Sequence, residues 1–432
     1  MNSELFFVCI AYNPQPMTSP LHHLHESAGA EFQDYAGTSI VLTFGQLPAE
    51  YSAIRKSAAI IDFPQRACLE LTGPDRLPFL NNLLTNETWN KDTKTGIPAG
   101  TAVYSFLLNT KGRILSDLYV IELGDRTLIE ADARQIELVR QFLGKYIFRE
   151  KVGIAGRSGG LWKLFLTGPR AFDALLKASG ANMGAPAELG ALSLTIAGAN
   201  VVVYRDDFCG VPGYALIVPA ESVEGVWRTF TREPRIPGGE PSSDDRLVSG
   251  GQECPPLDQA RQTGMSVPPE PTGTSVQPEQ FLKFTGLARR GGWAAFNTVR
   301  IEAGRPIFGI DYDESVLPAE TGQLNRAVSF TKGCYLGQEI VARMHAREQV
   351  SRLIVGIRMD ADALPVAGVK IHDAAGNEVG GITSSTVSPV LSRAAICLGI
   401  VRRAHAAMGA RLHIPAEGAM HTGTVVDLPF VR

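Results

Sequence analysis

No two of the six cysteines in this 432-residue chain (Cys9, Cys68, Cys209, Cys254, Cys334 and Cys397) are spaced as C-x-x-C. Zinc-finger and thioredoxin-like readings fall with that motif. Scattered free thiols in a long chain fit a reducing compartment, so a cytoplasmic location is expected. Positive charge is not in excess either. The formal net charge is −3, which gives no global attraction to nucleic acid or to an anionic membrane. Long apolar runs are missing, so no membrane span is expected. The short run from Leu5 to Ile10 follows Glu4 and no basic residue, unlike a signal peptide. Residues 1–16 carry little pattern, and Met17 reads as the more natural start. A metal centre lacks ligands. His22 and Glu26 would share a helix face in His22-His23-Leu24-His25-Glu26, but no further ligand stands nearby, and no metal is expected.

What is present is an ordinary globular composition, 44% apolar and 20% charged. The length exceeds what one core usually supports, so two or three domains are expected. A helical pattern over Tyr51 to Asp62 leads into a strand at Cys68 to Leu71, and Thr72-Gly73-Pro74-Asp75 supplies turn and cap residues. Helical periodicity follows from Arg76 to Thr85, then strand-rich runs at 102–109, 113–122 and 127–132, then an amphipathic helix from Arg134 to Tyr146. Strands and helices mix without βαβ alternation, which argues for an α+β fold. Gly156-Arg157-Ser158-Gly159-Gly160 matches G-x-S-x-G, but a strand rather than a helix follows, so a hairpin loop is expected. The same glycines fail G-x-G-x-x-G. Gly168-Pro169 opens a second helix as Gly73-Pro74 opens the first, a weak internal duplication. Residues 232–280 are dense in Pro, Gly, Ser and Gln and read as a disordered insertion. Order returns near Ala294. Short strands at 352–359, 368–372, 380–384 and 395–401 have the spacing of a small barrel or sandwich.

The most informative stretch is Thr331-Lys332-Gly333-Cys334-Tyr335-Leu336-Gly337-Gln338-Glu339. A strand-like Ala327 to Phe330 precedes it, and helix formers with apolar Ile340, Val341 and Met344 follow it. Two glycines bracket the cysteine, so a sharp turn into a helix is expected. That would set Cys334 near a helix N-terminus beside Lys332, both favouring a thiolate. The bland alternative is an inert core cysteine.

Lys332 to Glu339 fills every fixed position of K-G-C-[FY]-x-G-Q-E: Lys332, Gly333, Cys334, Tyr335, Gly337, Gln338 and Glu339. On this motif the chain resembles the YgfZ group, folate-binding relatives of the glycine-cleavage T-protein, and the likeness runs from about Leu47 to the C-terminus with one interruption. The resemblance implies a GcvT-like multidomain fold with mixed and antiparallel sheets and a small C-terminal β-barrel. It divides the chain into an N-terminal, partly disordered extension (1–46), two folate-binding parts (47–155 and 156–231), the insertion (232–284), a completing part with the signature (285–348) and the barrel (349–432). It implies tetrahydrofolate or a one-carbon derivative as ligand. The implied partners are iron–sulfur client or assembly proteins, tRNA-modifying radical enzymes among the clients, with no direct nucleic-acid or membrane contact.

The same resemblance assigns residues. Tyr104-Ser105 stands where the T-protein family lines its folate slot, and Val299-Arg300-Ile301-Glu302-Ala303-Gly304 stands for the family's L-R-x-E-A-G helix. Tyr104, Asp117, Arg300 and Glu302 are thereby expected to contact the ligand, with Asp117 and Cys334 as reactive groups. Two positions depart. The family's paired aspartates are here Ser116-Asp117, and its G-E-D-G-[FY] turn is Gly210-Val211-Pro212-Gly213-Tyr214. Both losses argue against aminomethyl transfer while leaving folate binding. Each residue also has a bland reading, such as Tyr104 in a core, Asp117 at a turn, or Arg300 and Glu302 in surface pairs. Arg343, His345 and Arg347 could bind an anionic tail or form the wet face of a helix. Three functions stay open: an iron–sulfur accessory protein, a true aminomethyltransferase, and an interaction module without ligand.

Overall fold

The computed structural model describes residues 18–156, 160–231, 286–347 and 350–431. From the N-terminus come α1 (His22–Ser27), the hairpin of β1 (Glu31–Tyr35) and β2 (Thr38–Thr43), α2 (Leu47–Lys56), β3 (Ala59–Asp62), β4 (Arg66–Thr72) and α3 (Arg76–Leu83). The short pair β5 (Trp89–Asn90) and β6 (Thr95–Gly96) precedes β7 (Thr101–Leu108), β8 (Ile114–Glu122), β9 (Thr127–Asp132), α4 (Ile136–Gly144) and β10 (Gly153–Gly156). Next are β11 (Leu161–Thr167), α5 (Ala171–Ser179), β12 (Ala191–Ile196), β13 (Ala199–Arg205), β14 (Gly213–Pro219) and α6 (Val223–Thr231). β15 (Arg289–Gly291) leads to α7 (Trp293–Glu302), α8 (Leu324–Ala327) and α9 (Gln338–Arg347). The chain ends with β16 (Arg352–Met359), β17 (Lys370–His372), β18 (Glu378–Ser388), β19 (Ala394–Arg402), β20 (Arg411–Ala416) and β21 (Ala419–Val426).

Two sheets carry the first part, with orders β10-β4-β9-β8-β7 and β12-β13-β14-β11-β3-β15. All pairs are antiparallel except β15 with β3. The inner faces share one core, which includes Tyr104, Phe106, Tyr119, Phe165, Tyr204 and, from α7, Phe296. A second core lies under α3 and α4, through Leu80, Leu83, Val139 and Leu143, and a third under α5 and α6, through Leu175 and Trp227. Strands covered on both faces lose the in–out alternation, which is why β7 and β8 read as near-continuous apolar runs. The last six strands close into a barrel, as the sequence suggested. Among the described residues no helix is long and apolar enough to cross a membrane.

The two Gly-Pro turns share a backbone conformation. Gly73 and Gly168 both take positive φ, +98° and +126°, where β4 and β11 turn into α3 and α5. A Cβ would lie 2.0 Å from Lys151 O at the first and 2.4 Å from Ser57 O at the second, so neither admits a side chain.

Several expectations need correction. The segment read as an extension over 1–46 is folded from Leu21 onward, because Leu21 and His25 are buried. His25 Nε2 lies 3.0 Å from Asp62 Oδ2, and Asp62 also accepts from Ser19 Oγ (2.5 Å) and Trp162 Nε1 (2.6 Å). The histidine cluster thus anchors the N-terminus to β3. The strands on either side of residues 157–159 do not form the expected hairpin, since β10 pairs with β4 and β11 with β14 and β3, in different sheets. Ala327 to Phe330 forms no strand, as Leu324–Ala327 is a helical turn. The insertion read over 232–284 lies outside the described residues.

Candidate functional site

The inner faces of the two sheets and α7 enclose a slot. Its walls are aromatic: Phe63, Tyr119, Phe165, Phe208, Trp293 and Phe296, with Tyr35 reaching in from the β1–β2 hairpin. Between them stand Arg66, Asp117, Asp132, Lys163 and Asp206. β8 positions two of these groups because Asp117 and Tyr119, two residues apart on one strand, point to the same face. Asp117 Oδ2 accepts from Tyr104 Oη at 3.0 Å, and Tyr104 Oη lies 3.2 Å from Tyr312 Oη. Asp117 Oδ1 is buried and has no hydrogen-bond donor among the described residues, with Arg66 Nη1 at 3.5 Å. Burial pushes this carboxyl above the usual carboxylate range, against the pull of Arg66.

Opposite charges interleave around it. Glu130 accepts from Arg66 Nε, from Tyr204 Oη and from Lys163 Nζ (2.9 Å). Burial would raise Glu130, but Arg66 and Lys163 outweigh it and hold the carboxyl down at about 2. Burial lowers Lys163. Asp206 accepts from Tyr119 Oη and from Arg326 Nη2 at 2.6 Å, and the Arg326 guanidinium lies 4.4 Å from the Tyr104 ring centre. The free space in the slot is about 60 Å³. That holds water but is well below the roughly 300–1,000 Å³ of ligand pockets, so a ring enters only if a wall side chain turns aside.

A larger cleft of about 660 Å³ lies at the barrel seam. The two cavities are lined by neighbouring stretches of chain. Phe208 and Ile307 line the slot, whereas Gly210 and Pro306 line the cleft. Apolar Ile354, Val355 and Leu428 form much of the cleft wall. Arg305, also in its lining, has no side-chain partner among the described residues.

Of the residues singled out in the sequence, Asp117 lines the slot and Tyr104 supports it. Arg300 and Glu302 do not reach it. Arg300 is fully buried and donates to Asn297 Oδ1 (2.8 Å), Asp311 Oδ2 (2.7 Å) and Ser384 Oγ (2.7 Å). Glu302, equally buried, accepts from Tyr51 Oη (2.9 Å), Arg55 and Ser388 Oγ (2.5 Å). Arg300 ties α7 to the segment after it and to β18, Glu302 ties α7 to α2 and β18, and neither lines the slot, so the expectation of ligand contact is corrected to a structural role. Ser116 is buried too, its hydroxyl bonded to Asp117 O at 2.8 Å.

The signature forms a docked loop. Lys332 Nζ donates to the carbonyls of Asn81 (2.6 Å), Leu84 (2.6 Å) and Asn86 (3.0 Å), so it caps the end of α3. Burial pushes its ammonium down to about 7. This corrects the idea that Lys332 serves the thiol. Tyr335 is buried, with its ring 4.9 Å from Lys332 Nζ. Gly337 has φ +81° and packs where a Cβ would lie 2.9 Å from Asn109 O. Gly333 lies under Lys91, whose Nζ would be 2.6 Å from an added Cβ. Cys334 is exposed and stands four residues before α9, beyond the first turn of that helix. It does not line the slot. Gln338 and Glu339 open α9, Glu339 facing solvent. Arg343 and His345 are exposed, and the His345 ring stacks on Phe330 at 4.0 Å.

The reading of the chain missed Asp206, Lys163, Glu130 and Arg326. Only the Asp206-Asp207 pair ahead of the Gly210-Val211-Pro212-Gly213 turn offered a signal.

The chain thus joins a two-sheet domain enclosing a buried, charged aromatic slot to a closed six-stranded barrel. The GCVT N-terminal domain model matches residues 21–241, and the glycine cleavage T-protein C-terminal barrel domain model matches residues 352–432. The chain belongs to the GCVT family. Its likeness to the family begins at residue 21, earlier than the Leu47 expected above. The chain is 26% identical over 419 residues to an aminomethyltransferase of Saccharopolyspora erythraea, covering 96% of this chain and 98% of the relative. It is 25% identical over 414 residues to one of Halothermothrix orenii, covering 96% and 99%. The fold is similar to the crystal structure of glycine cleavage system aminomethyltransferase T from Bartonella henselae, with a TM-score of 0.74 and 21% identity over 96% of this chain and 98% of that one.

Proposed function

We propose that the chain binds a reduced folate, with the pterin head in the aromatic slot and the anionic tail in the cleft. The observation that carries this reading is Asp117 Oδ1, a buried acceptor without a donor among the described residues, on a wall of ring faces. Leaving such a group unmet costs about 1–3 kcal/mol, which a ligand N–H removes. Arg305 is the cation available to the tail carboxylates.

Within that reading the protein serves as an accessory to iron–sulfur enzymes and does not transfer aminomethyl groups. Val211 fills the turn position where the family resemblance expects a carboxylate, and Ser116 fills that of the second aspartate. The signature supports the accessory role, since its exposed Cys334 can meet a partner. Full-length likeness to proteins named aminomethyltransferase favours a second reading, true transfer. A direct assay separates the two. Given an aminomethyl-lipoyl carrier and tetrahydrofolate, the protein should release no methylenetetrahydrofolate above background, whereas turnover within about tenfold of a genuine T-protein, ~1.4 kcal/mol of barrier, establishes the second reading.

Cys334→Ser gives a companion test. The side chain is exposed, so stability and folate affinity should stay unchanged. Rescue of iron–sulfur enzyme activity in a strain lacking its own homologue should be lost. Full rescue would remove the thiol from the account.

A further inference from the structure

We propose that Lys163 reads the ligand in the slot, donating to a ring carbonyl while Asp117 accepts from a ring N–H, so that the site selects a 4-oxo over a 4-amino pteridine. This inference rests on the folate reading above.

Lys163 comes from β11 in the six-stranded sheet, and its side chain crosses to Glu130 of β9 in the five-stranded one. An ammonium has three N–H donors. Two have acceptors, Glu130 Oε2 at 2.9 Å and Tyr204 Oη at 3.2 Å. The third has none among the described residues, and the side chain lines the slot. The rings of Phe63, Tyr119 and Tyr204 surround Nζ at 5.6–5.7 Å from their centres and fix where the ammonium sits. Arg66 and Asp206 face the same space.

Asp117 Oδ1 is the converse case, a buried acceptor without a donor among the described residues. Among the described residues the slot thus presents an unmet donor on Lys163 and unmet acceptors on Asp117 Oδ1 and Gln65 Oε1, set among ring faces. A lactam edge, with C=O beside N–H on a flat ring, supplies a partner of each kind. A 4-amino ring puts N–H groups where Lys163 needs an acceptor, and two donors then face each other without solvent. Sites built to hydrogen-bond one group reject the analogue lacking it far more strongly than an apolar pocket rejects a change of size. No motif marks Lys163 in the sequence, where it reads as one polar residue within an apolar strand.

The test is anaerobic calorimetry of the full chain with tetrahydrofolate and with its 4-amino-4-deoxy counterpart. The unmodified protein should bind the 4-oxo ligand at least tenfold more tightly. Lys163→Met keeps most of the apolar stem and leaves Glu130 paired with Arg66, and it should cut that ratio below threefold by weakening the 4-oxo ligand. A merely structural role would lower both affinities together and leave the ratio unchanged, which overturns the proposal. Equal binding of both ligands by the unmodified protein also overturns it, whatever the variant's folding, and leaves the folate reading standing. Binding of neither ligand overturns both.

Discussion

Arg300→Met is expected to cost about 3–5 kcal/mol of stability, the range for breaking a buried ion pair from one side. The guanidinium is fully buried and meets Asn297, Arg305 O, Asp311 and Ser384, so one side chain joins α7, the segment after it and the barrel strand β18. Methionine fills much of the volume but withdraws a donor from each of these acceptors. Asp311 keeps donors in Ile307 N (2.8 Å), Thr383 Oγ1 (2.8 Å) and Ser384 Oγ (2.6 Å), yet loses its only ion-pair partner among the described residues. With total stabilities of about 5–15 kcal/mol, this is a large share. Denaturant unfolding monitored by circular dichroism measures it. A loss under about 1 kcal/mol, accompanied by weakened folate binding, would return Arg300 to the role of ligand contact.

Asp117→Asn should have the largest effect on binding. The two side chains are nearly isosteric, but the change removes the charge and places an N–H₂ where an acceptor faces the slot. Hydrogen bonds to charged groups contribute about 1.5–3 kcal/mol, so tetrahydrofolate affinity should fall roughly 10- to 100-fold. Stability should hold, because Arg66 retains Glu130 and burial disfavours the Asp117 charge. The sign of the pH effect follows. Burial raises the folded-state pKa above the unfolded value, so the native state holds more protons between the two. The contribution of Asp117 to stability is then complete below the unfolded pKa and lost as pH rises through the folded one. The asparagine variant should lack that decline. Unchanged affinity in Asp117→Asn would remove the carboxylate from the site.

Much of the architecture was legible. The strands β7 to β9, the helices α4, α5 and α9, and the barrel all announce themselves by local pattern and turn residues, because each is decided within a dozen positions. The slot was not legible. Its walls come from Tyr35, Asp117, Lys163, Asp206 and Phe296, and periodicity cannot show that five distant segments converge. The family resemblance found Asp117 and Tyr104 for that reason, and it missed Lys163 because nothing local distinguishes it. Lys332 shows the opposite failure. Adjacency to Cys334 suggested an electrostatic partner, but a four-carbon side chain reaches well past its neighbour, here to three carbonyls at the end of α3. Arg300 and Glu302 look alike as ligand contacts or as pins. Only burial tells which they are.

In the proposed function, slot and cleft together hold one reduced folate. Anaerobic calorimetric titration of the intact chain with tetrahydrofolate tests it most directly. The account predicts a single site per chain with a dissociation constant in the micromolar range, roughly −8 kcal/mol. It also predicts that Asp117→Asn weakens that site and that Cys334→Ser leaves it unchanged. Absence of binding at millimolar tetrahydrofolate would contradict the account and leave a protein that keeps the fold without the ligand.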